Sequence, residues 1–498
     1  MTNTTKIQET KTDTDMRRIV IDPVTRVEGH GKVTILLDNE GAVKQARLHI
    51  VEFRGFERFI QGRLLWEVPV IVQRLCGICP VSHHLGAAKA MDMIVGADEL
   101  TPTAEKMRRL MHYGQIVQSH ATHFFYLASP DLLFGFDAPM QKRNAGGVVM
   151  EHPDMAHRGV RLRKYGQKII ETTAGKRIHG TGAIPGGINK NLTPVERDRL
   201  LADADQAIKD ACDALEFIKK YMEKHQDDAE ALGAFTSNRL CILDSDGAMD
   251  LYDGTLRAVD RQDKIIFENE PVVNYLQHVA EEVRNWTYMK FPFIRQLGPK
   301  EGWYSVGSLP RVTACDYIDT PLAEKARREM IEALGGKASG LTMAYHWARI
   351  IEIIHGAEKI KLLLQDPDLL RNELVVKGKR KDEGISVIEA PRGTLFHHYR
   401  VDRNDQVSMA NIIVSTTQNN EPMNRAVEYV ARRYLQGTEI TESMLNHIEA
   451  AIRAYDPCLS CATHAVGHMP LSVSLCNEQG DIIDRKNRAY FNSQQCII

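Results

Sequence analysis

Two short cysteine pairs, Cys76-Gly-Ile-Cys79 and Cys458-Leu-Ser-Cys461, carry the residues best suited to metal chemistry in this chain. The two thiolates of such a pair can reach one metal ion or two adjoining metal ions. The pairs lie 382 residues apart (458 − 76), and a histidine, His83 or His464, follows each pair closely. A site with four sulfur ligands therefore forms only if the fold brings the two ends of the chain together.

Three kinds of metal site use four cysteine thiolates. A structural zinc site is one, but the two pairs of a zinc ribbon are usually about 15–20 residues apart. An iron–sulfur cluster is another, and a soft four-sulfur environment also suits nickel, with two sulfurs free to bridge a second metal. Four charged or polar residues in the adjoining motifs argue against a purely structural metal site, because such residues are costly to bury. They are Glu28, Arg74, His83 and Arg392. The residues by themselves leave the metal open.

The composition is that of an ordinary globular chain and excludes several classes of partner. The 498 residues include 63 basic and 65 acidic side chains, a formal net charge of −2, so we expect no nucleic acid and no membrane as partner. No apolar run approaches the ~18 residues that span a bilayer, and the polar start lacks the apolar core of a secretory signal. We therefore predict a cytoplasmic protein, in which nine cysteines are too few for a disulfide scaffold.

The pattern of apolar residues predicts a mainly α protein, a helical bundle with small β-sheet sections near both ends. Residues 18–95 combine alternating strands with a helix that precedes the first cysteine pair. Residues 96–380 are predicted to be mainly helical, and residues 381–464 to form a β-hairpin and helices that lead into the second pair. We predict that residues 18–464 form one large unit, preceded by a disordered tail of residues 1–17.

Local signals place individual helices in the central section. Thr193-Pro-Val-Glu196 is a capping box with proline at the first helical position, and it opens a helix predicted to reach His225. Further helices are predicted after a strand-like insertion (232–270), near 271–290, 321–335 and 339–365. An earlier predicted helix carries three histidines, for which we expect packing roles more than metal binding: His112, His120 and His123.

Taken with their neighbours, the two cysteine pairs resemble the two signatures of the large, catalytic subunit of nickel–iron hydrogenases. The signatures here are Arg74-Leu-Cys76-Gly-Ile-Cys79-Pro-Val-Ser-His83 and Asp456-Pro-Cys458-Leu-Ser-Cys461-Ala-Thr-His464. Three further motifs occur in the family's order: Arg26-Val-Glu-Gly-His30, Arg54-Gly-Phe-Glu57 and Ala390-Pro-Arg-Gly393. The resemblance implies the large-subunit fold of that family and the reversible, heterolytic cleavage of H2.

The resemblance also implies a role for each cysteine of a nickel–iron centre. Cys76 and Cys458 would bind nickel alone, and Cys79 and Cys461 would bridge nickel to iron. In the family, carbon monoxide and cyanide complete the iron coordination, which no sequence pattern reveals. Residues that would surround these small ligands are Pro391, Val414, Ser415 and Thr416.

Catalytic roles are implied for four further residues. Glu28 would take the proton from a nickel cysteine, because heterolytic cleavage needs a metal to accept hydride and a base to accept the proton. Arg392 would hold positive charge over the anionic ligands of iron. His83 would donate a hydrogen bond to a bridging sulfur. Asp456, the first residue of the second signature, is predicted to belong to the same catalytic group.

A magnesium ion and a processed C terminus are implied as well. Glu57, His464 and the backbone carbonyl of Ile412 would bind the magnesium. The family cuts its large subunit just after the last histidine of the second signature. A maturation endopeptidase would then release residues 465–498 from this chain, and nickel-insertion factors would be further partners.

One position departs from the respiratory, uptake-type members, which have an aspartate where this chain has Ser119. Other segments, among them VEFRGFERF and APRGTLFHHYR, resemble the cytoplasmic NAD-reducing branch. That likeness implies two kinds of partner, flavin-containing diaphorase subunits together with a small iron–sulfur subunit. Iron–sulfur clusters, FMN and NAD would be bound by those partners, since this chain has no nucleotide fingerprint of its own.

Three alternatives share part of these features. The quinone-side subunit of respiratory complex I is similar in fold but lacks the four cysteines. A hydrogen-sensing regulatory subunit would carry the same site. NADP or a deazaflavin could replace NAD, because the acceptor is chosen by partner subunits. Turnover of H2 with NAD+ in the assembled complex separates these alternatives.

Overall fold

The computed structural model describes residues 6–7, 10–11, 17–435, 440–463, 471–476 and 482–488. Most of the predicted site residues fall within these ranges. His464, the expected last ligand of the second signature, lies outside the described residues.

An antiparallel sheet begins the chain and holds the loop with Glu28. Its strands, in the order β1-β3-β4-β5 with β2 also paired to β3, are β1 (Lys6–Ile7), β2 (Thr10–Lys11), β3 (Arg17–Asp22), β4 (Gly31–Leu37) and β5 (Val43–Ile50). Because β3 and β4 are joined by residues 23–30, the Arg26–His30 motif is a loop anchored at both ends. Within the predicted tail, the four residues of β1 and β2 pair with the open edge of β3.

The first cysteine pair follows two short helices and precedes a long one. These helices are α1 (Phe56–Ile60), α2 (Val68–Ile71), a 3-10 turn (Val72–Leu75) and α3 (Pro80–Val95). Cys79 is the N-cap residue of α3, with Pro80 at the first helical position. Proline is favoured there because the missing N–H has no helical partner in any case.

The middle of the chain contains a long series of helices. Its elements are α4 (Pro102–Thr122), a π-helical segment (His123–Ala128), α5 (Ser129–Phe134), α6 (Ala145–Glu151), α7 (Pro153–Ala174), β6 (Ala183–Ile184), β7 (Gly187–Ile188), α8 (Pro194–Leu201), α9 (Ala204–Lys224) and α10 (Gln226–Ala231). The capping box at Thr193 and Glu196 is confirmed. The predicted helix to His225 is two helices, because the chain turns between Leu201 and Ala204.

A second sheet interrupts the helices and corrects one prediction. It comprises β8 (Asn238–Leu243), β9 (Thr255–Val259) and β10 (Ile265–Glu270), followed by α11 (Tyr275–His278), β11 (Val279–Glu282), β12 (Phe291–Ile294), α12 (Gly298–Glu301) and β13 (Tyr304–Ser305). The helix predicted near 271–290 is wrong beyond its first turns, since β11 pairs antiparallel with β12. The partner strand lies outside the predicted segment, so the local pattern could not reveal this pairing.

The last part of the chain builds a three-stranded sheet and the second cysteine pair. Its elements are α13 (Ser308–Ala314), α14 (Pro321–Leu334), α15 (Ala344–Gln365), β14 (Glu383–Ala390), β15 (Gly393–Val401), β16 (Val407–Ile413), α16 (Ser415–Gln418), α17 (Asn420–Tyr434), α18 (Glu442–Ala454), β17 (Leu471–Cys476) and β18 (Ile482–Arg488). The predicted strands around 385–420 are present as β14–β16. The loop at Pro391 and Arg392 joins β14 directly to β15.

Packing brings these parts together around α4 and α15. Helix α4 packs against α7 and α15, and α15 also packs against α9. Buried apolar side chains of the described residues form three clusters, and the second cluster contains all four cysteines of the two pairs. The cysteine pairs therefore lie inside the protein and not on its surface.

Within the same residues, no helix is both long and apolar enough to cross a bilayer.

Five buried histidines make stability depend on pH. Burial lowers the pKa to about 4 for His84, His120 and His355, and to about 3 for His112 and His346. The unfolded chain binds these protons below a pKa of about 6.5, so unfolding becomes easier as the pH falls from about 6.5 towards 4. Each histidine lowers the free energy of unfolding by up to about 1.4 kcal/mol per pH unit in that range.

We expect urea unfolding of the full chain to have a clearly lower midpoint at about pH 5 than at about pH 7. His120→Gln should reduce this difference. His225→Gln, which removes an exposed histidine next to Asp228, should leave it unchanged and is the matched control. Equal midpoints at the two pH values would show that these histidines are not held neutral by the fold.

Candidate metal centre

The four thiols of the two cysteine pairs meet in one buried cluster. The Sγ atoms of Cys76 and Cys458 are 3.4 Å apart, and those of Cys79 and Cys461 are 3.9 Å apart. Within each pair the Sγ atoms are 2.7 Å apart. Across the described ranges, no other group of three or more His, Cys, Asp or Glu side chains gathers its ligand atoms in this way. The fold thus brings together residues 382 positions apart.

Backbone geometry around the first pair favours a thiolate at Cys76. Its Sγ accepts hydrogen bonds from the backbone N–H of Cys79 (2.9 Å) and Ile78 (3.3 Å). The guanidinium of Arg54 donates to the carbonyls of Arg74 and Leu75, both at 2.9 Å, and so holds the chain immediately before Cys76. The N terminus of α3 begins beside Cys79, where a helix dipole favours negative charge.

The second pair is held by the loop of the first sheet and by α16. The backbone N–H of Cys458 donates to Thr416 Oγ1 at 2.9 Å. The backbone N–H of Leu459 donates to the carbonyl of Glu28 at 3.0 Å, and Glu28 and Cys458 form a parallel β-bridge. The Glu28 loop therefore docks on the second pair through main-chain contacts, independently of any metal.

A carboxylate contacts one thiol of the cluster directly. Cys458 Sγ donates to Glu28 Oε2 at 3.0 Å, and the backbone N–H of Ser460 donates to the same oxygen at 3.1 Å. Gly29 has φ +83°, and a Cβ there would lie 2.8 Å from Ser460 N. Only glycine permits this close approach of loop and cysteine pair. The arrangement places a base within proton-transfer distance of a thiol.

An ionic network that sequence reasoning missed holds the Glu28 loop. Asp131 accepts from Arg26 at 2.5 Å and from Arg453 at 2.6 Å. Glu449 accepts from the backbone N–H of Thr25 at 2.6 Å and pairs with Arg453 at 3.0 Å. Burial alone would raise the pKa of Asp131, but the charges of Arg453 and Arg26 outweigh it and lower the pKa to about 2. The one available signal was the density of polar residues in the Arg26–His30 motif.

The thiols differ in their readiness to ionise. Burial raises the pKa of Cys458 and Cys461 well above the ordinary value. Burial also acts to raise the pKa of Cys76, but hydrogen bonds with the neighbouring thiols and the charge of Arg392 lower it well below that value. Four thiolates at these distances repel one another, so a bound cation is needed to ionise all four. This donor set fits a soft transition-metal centre.

Arg392 and Asp456 form an ion pair beside the cluster. Arg392 donates through Nη2 to Asp456 Oδ1 at 2.9 Å and through Nε to the Asp456 carbonyl at 2.6 Å. A third hydrogen bond joins Arg392 Nη1 to Ser119 Oγ at 3.3 Å. Both members of the pair are at least 96% buried. At position 119 the guanidinium thus meets a neutral hydroxyl and not a second carboxylate.

The predicted pocket residues are buried around the same cluster. Val414 belongs to the apolar cluster of the four cysteines. Ser415 Oγ donates to the carbonyl of Gly393 at 2.7 Å, which ties α16 to the turn that carries Pro391 and Arg392. Thr416 contacts Cys458 as described above. Because Val414 and Ser415 directly precede Thr416, this segment lies next to the second cysteine pair.

Two residues predicted to bind magnesium, Glu57 and Ile412, are in contact, although through the N–H of Ile412 and not through its carbonyl. The backbone N–H of Ile412 donates to Glu57 Oε1 at 2.8 Å, and Glu57 is buried. His464 lies outside the described residues. His83, predicted to contact a bridging sulfur, has its Nδ1 3.3 Å from His397 Nε2. Sequence reasoning did not single out His397.

The three histidines of the α4 region have packing partners. His120 Nε2 is 2.7 Å from Glu352 Oε2, and His123 Nε2 is 2.7 Å from the carbonyl of Arg453. His112 Nε2 is 3.0 Å from the carbonyl of Glu389. These buried positions and hydrogen bonds are those expected of histidines with packing roles.

Two known protein families together match most of this chain. Residues 54–138 and 249–464 match the family described as nickel-dependent hydrogenase, and residues 18–53 match a family described as HoxL-like. The NAD-reducing hydrogenase HoxS subunit beta of Cupriavidus necator is 47% identical over 487 residues, covering 95% of this chain and 100% of that protein. One chain of the vhc F420-non-reducing hydrogenase of Methanococcus voltae is 40% identical, covering 93% of this chain and 98% of that one.

Solved structures agree with this relationship. An NAD+-reducing [NiFe]-hydrogenase in the H2-reduced state superposes with a TM-score of 0.89 at 52% identity, covering 90% of this chain and 99% of that chain. The Ni-Fe-Se hydrogenase of D. vulgaris Hildenborough superposes with a TM-score of 0.72 at 23% identity, covering 90% and 100%. The second likeness concerns the fold alone.

Proposed function

The chain belongs to the nickel-dependent hydrogenase family, and we propose that it is the catalytic subunit of an enzyme that couples reversible H2 cleavage to NAD+. It is a hydrogenase with the large-subunit fold of that family. The observation that carries the proposal is the contact of Glu28 with a thiol of the four-cysteine cluster, at 3.0 Å. A centre that only joined the chain ends would need no base at one of its thiols.

The four cysteines would hold a nickel–iron centre. Cys76 and Cys458 would bind nickel alone, and Cys79 and Cys461 would bridge to iron. When bound, with carbon monoxide and cyanide on iron, this centre supplies the Lewis acidity and electron transfer that cleavage of H2 requires. The buried surroundings of Pro391, Val414, Ser415 and Thr416 would line the space for the small iron ligands.

Glu28 and Cys458 would carry the proton. Oε2 of Glu28 receives the proton of Cys458 Sγ along the hydrogen bond that joins them. The backbone N–H of Ser460 keeps the same oxygen in place. Because the loop is anchored through Arg26 and Asp131, the backbone of Glu28 is held in place by contacts other than those of its own side chain.

Arg392, held by Asp456, would provide fixed positive charge beside the cluster. The guanidinium is buried and keeps its charge because burial is offset by the nearby carboxylate of Asp456 and by the cysteines. Positive charge that is already in place needs no rearrangement when negative charge develops on nearby groups. His83 would donate a hydrogen bond to a thiolate of the centre.

A magnesium ion and C-terminal processing complete the proposal. Glu57, His464 and the carbonyl of Ile412 would bind the ion, supported by the buried position of Glu57 next to Ile412. Residues 18–464 would form the mature unit. The family match ends at residue 464, which agrees with a cut after His464 by a maturation endopeptidase once nickel-insertion factors have acted.

Electrons would leave through a surface beside the first cysteine pair. One segment exposes more than a third of each of six large apolar side chains: Val51, Phe53, Phe59, Leu64, Trp66 and Val70. Arg54 of the same segment holds the carbonyls next to Cys76. Exposed apolar surface of this kind marks a partner interface, which we assign to a small iron–sulfur subunit. FMN and NAD would be bound by diaphorase subunits beyond it.

Metal analysis and infrared spectroscopy of the assembled complex test the proposal. We expect nickel and iron in nearly equal amounts, carbon monoxide and cyanide stretching bands, and H2-dependent reduction of NAD+. Zinc without such bands would contradict the metal assignment. If the bands are present but NAD+ is not reduced, the hydrogenase centre is supported and the acceptor is a different one. NADP or a deazaflavin can then be added to the same assay in place of NAD+.

A further inference from the structure

Strand β15 presents two polar rings to helix α3. His397 and Tyr399 are two residues apart and therefore lie on the same face of the strand. His398 lies on the opposite face, where its Nδ1 is 3.0 Å from the hydroxyl of Tyr275. A Cβ at Gly86 of α3 would be 2.8 Å from the His397 ring, so glycine there allows the ring to lie against the helix.

A line of hydrogen bonds runs from this strand to the first turn of α3. The hydroxyl of Tyr399 is 2.5 Å from His397 Nδ1, and His397 Nε2 is 3.3 Å from His83 Nδ1. All three side chains are at least 99% buried. In such surroundings each N–H and O–H needs an acceptor, because solvent cannot supply one.

The direction of these hydrogen bonds follows from the hydroxyl at their end. Among the described residues, the hydroxyl of Tyr399 has one hydrogen-bond partner, His397. Burial, together with the charge of Glu57, raises the pKa of Tyr399 well above its usual value, so the O–H is retained. If His397 donated through Nδ1, this buried O–H would have no acceptor, which is unfavourable. Tyr399 is therefore the donor and His397 Nδ1 the acceptor.

The tautomers of both histidines are then determined. A neutral imidazole carries one N–H, so His397 with an acceptor at Nδ1 carries its proton at Nε2. That proton is donated to His83 Nδ1, which leaves the proton of His83 at its own Nε2. His83 lies four residues after Cys79, on the same side of the start of α3.

We propose that Tyr399, acting through His397, sets the tautomer of His83 so that its Nε2 is an N–H donor on the side of the cysteine cluster. An N–H directed at thiolates stabilises their charge, whereas the other tautomer would direct a lone pair at them. Tyr399 is a positioning residue in this scheme. That the Nε2–H of His83 donates to a metal-bound thiolate rests on the proposed function. The tautomers of His83 and His397 do not rest on it.

The tautomers can be measured without metal. In the full-length, metal-free chain labelled with nitrogen-15 at histidine, NMR should find His397 and His83 protonated at Nε2. Tyr399→Phe should turn His397 and His83 into mixtures of tautomers. Tyr275→Phe, which removes the same hydroxyl from His398, should leave both unchanged. Protonation of His397 at Nδ1 in the unaltered chain, or unchanged tautomers in Tyr399→Phe, would overturn the inference.

The assembled complex tests the consequence for the site. Tyr399→Phe should shift the cyanide and carbon monoxide stretches and lower H2 oxidation about threefold to tenfold at nearly unchanged KM, and Tyr275→Phe should do neither. Unshifted bands in Tyr399→Phe would show that the donor does not act on the centre. Failure of NAD+ reduction in the unaltered complex, with the tautomers as expected, would count against the proposed function alone.

Discussion

Cys458→Ser is expected to abolish H2 turnover and to leave the assembled complex without nickel. Cys458 lies at the centre of the site: its Sγ is 3.4 Å from Cys76 and 3.0 Å from Glu28. A serine hydroxyl is a harder ligand and does not ionise near neutral pH, so it cannot replace a soft thiolate. We expect a loss of activity of at least about a thousandfold, to below detection.

Metal content and H2-dependent dye reduction, measured on the same preparation, check this result. Cys315→Ser is the matched control, because Cys315 is also buried but its Sγ donates to the carbonyl of Val312 away from the cluster. That variant should keep nickel and activity, with at most a modest loss of stability. Nickel retained at full stoichiometry in Cys458→Ser would remove this residue from the metal ligands.

Glu28→Gln is expected to keep the metals and to suppress proton transfer. The amide has the shape of the carboxyl group, and its oxygen can still accept from the Ser460 N–H, so the loop should stay in place. An amide cannot take a proton from Cys458 Sγ, and loss of a positioned base usually costs about 10²–10⁴ in rate. Exchange between D2 and water protons should fall by about that factor.

Mass spectrometry of the evolved HD and H2 measures this exchange, with metal analysis and infrared spectra recorded in parallel. Glu52→Gln is the control, because Glu52 is a partly exposed carboxylate that pairs with His30 at the end of the same loop. It should exchange at the rate of the unaltered enzyme. Unimpaired exchange in Glu28→Gln, at full metal content, would place the proton route elsewhere.

Much of the local structure could be predicted because its causes lie within a few residues. The capping box at Thr193 starts a helix through contacts with Glu196, three residues on. The alternation around His397 produces β15 with its neighbours β14 and β16, as expected. The prediction near 271–290 was wrong because a strand there depends on a partner outside the segment.

Some residues of the site could be predicted from the sequence and others could not. Its cysteines, Glu28 and Arg392 could be identified from motifs, since each motif keeps its residues in a short, recognisable order. Residues that hold them could not: Asp131 contacts Arg26 across 105 positions, and Arg453 contacts Thr25 across 428. No local pattern encodes such contacts, because they exist only after both segments have packed on other elements.

By itself, the sequence determined the four thiols, the base and the family to which they belong. The tertiary structure alone decided that the two cysteine pairs meet, that Glu28 contacts Cys458 and not another cysteine, and that Tyr399 lies behind His83. The physical reason is the distance along the chain. Contacts between residues hundreds of positions apart are specified by the packing of whole helices and sheets, to which every buried residue contributes a little.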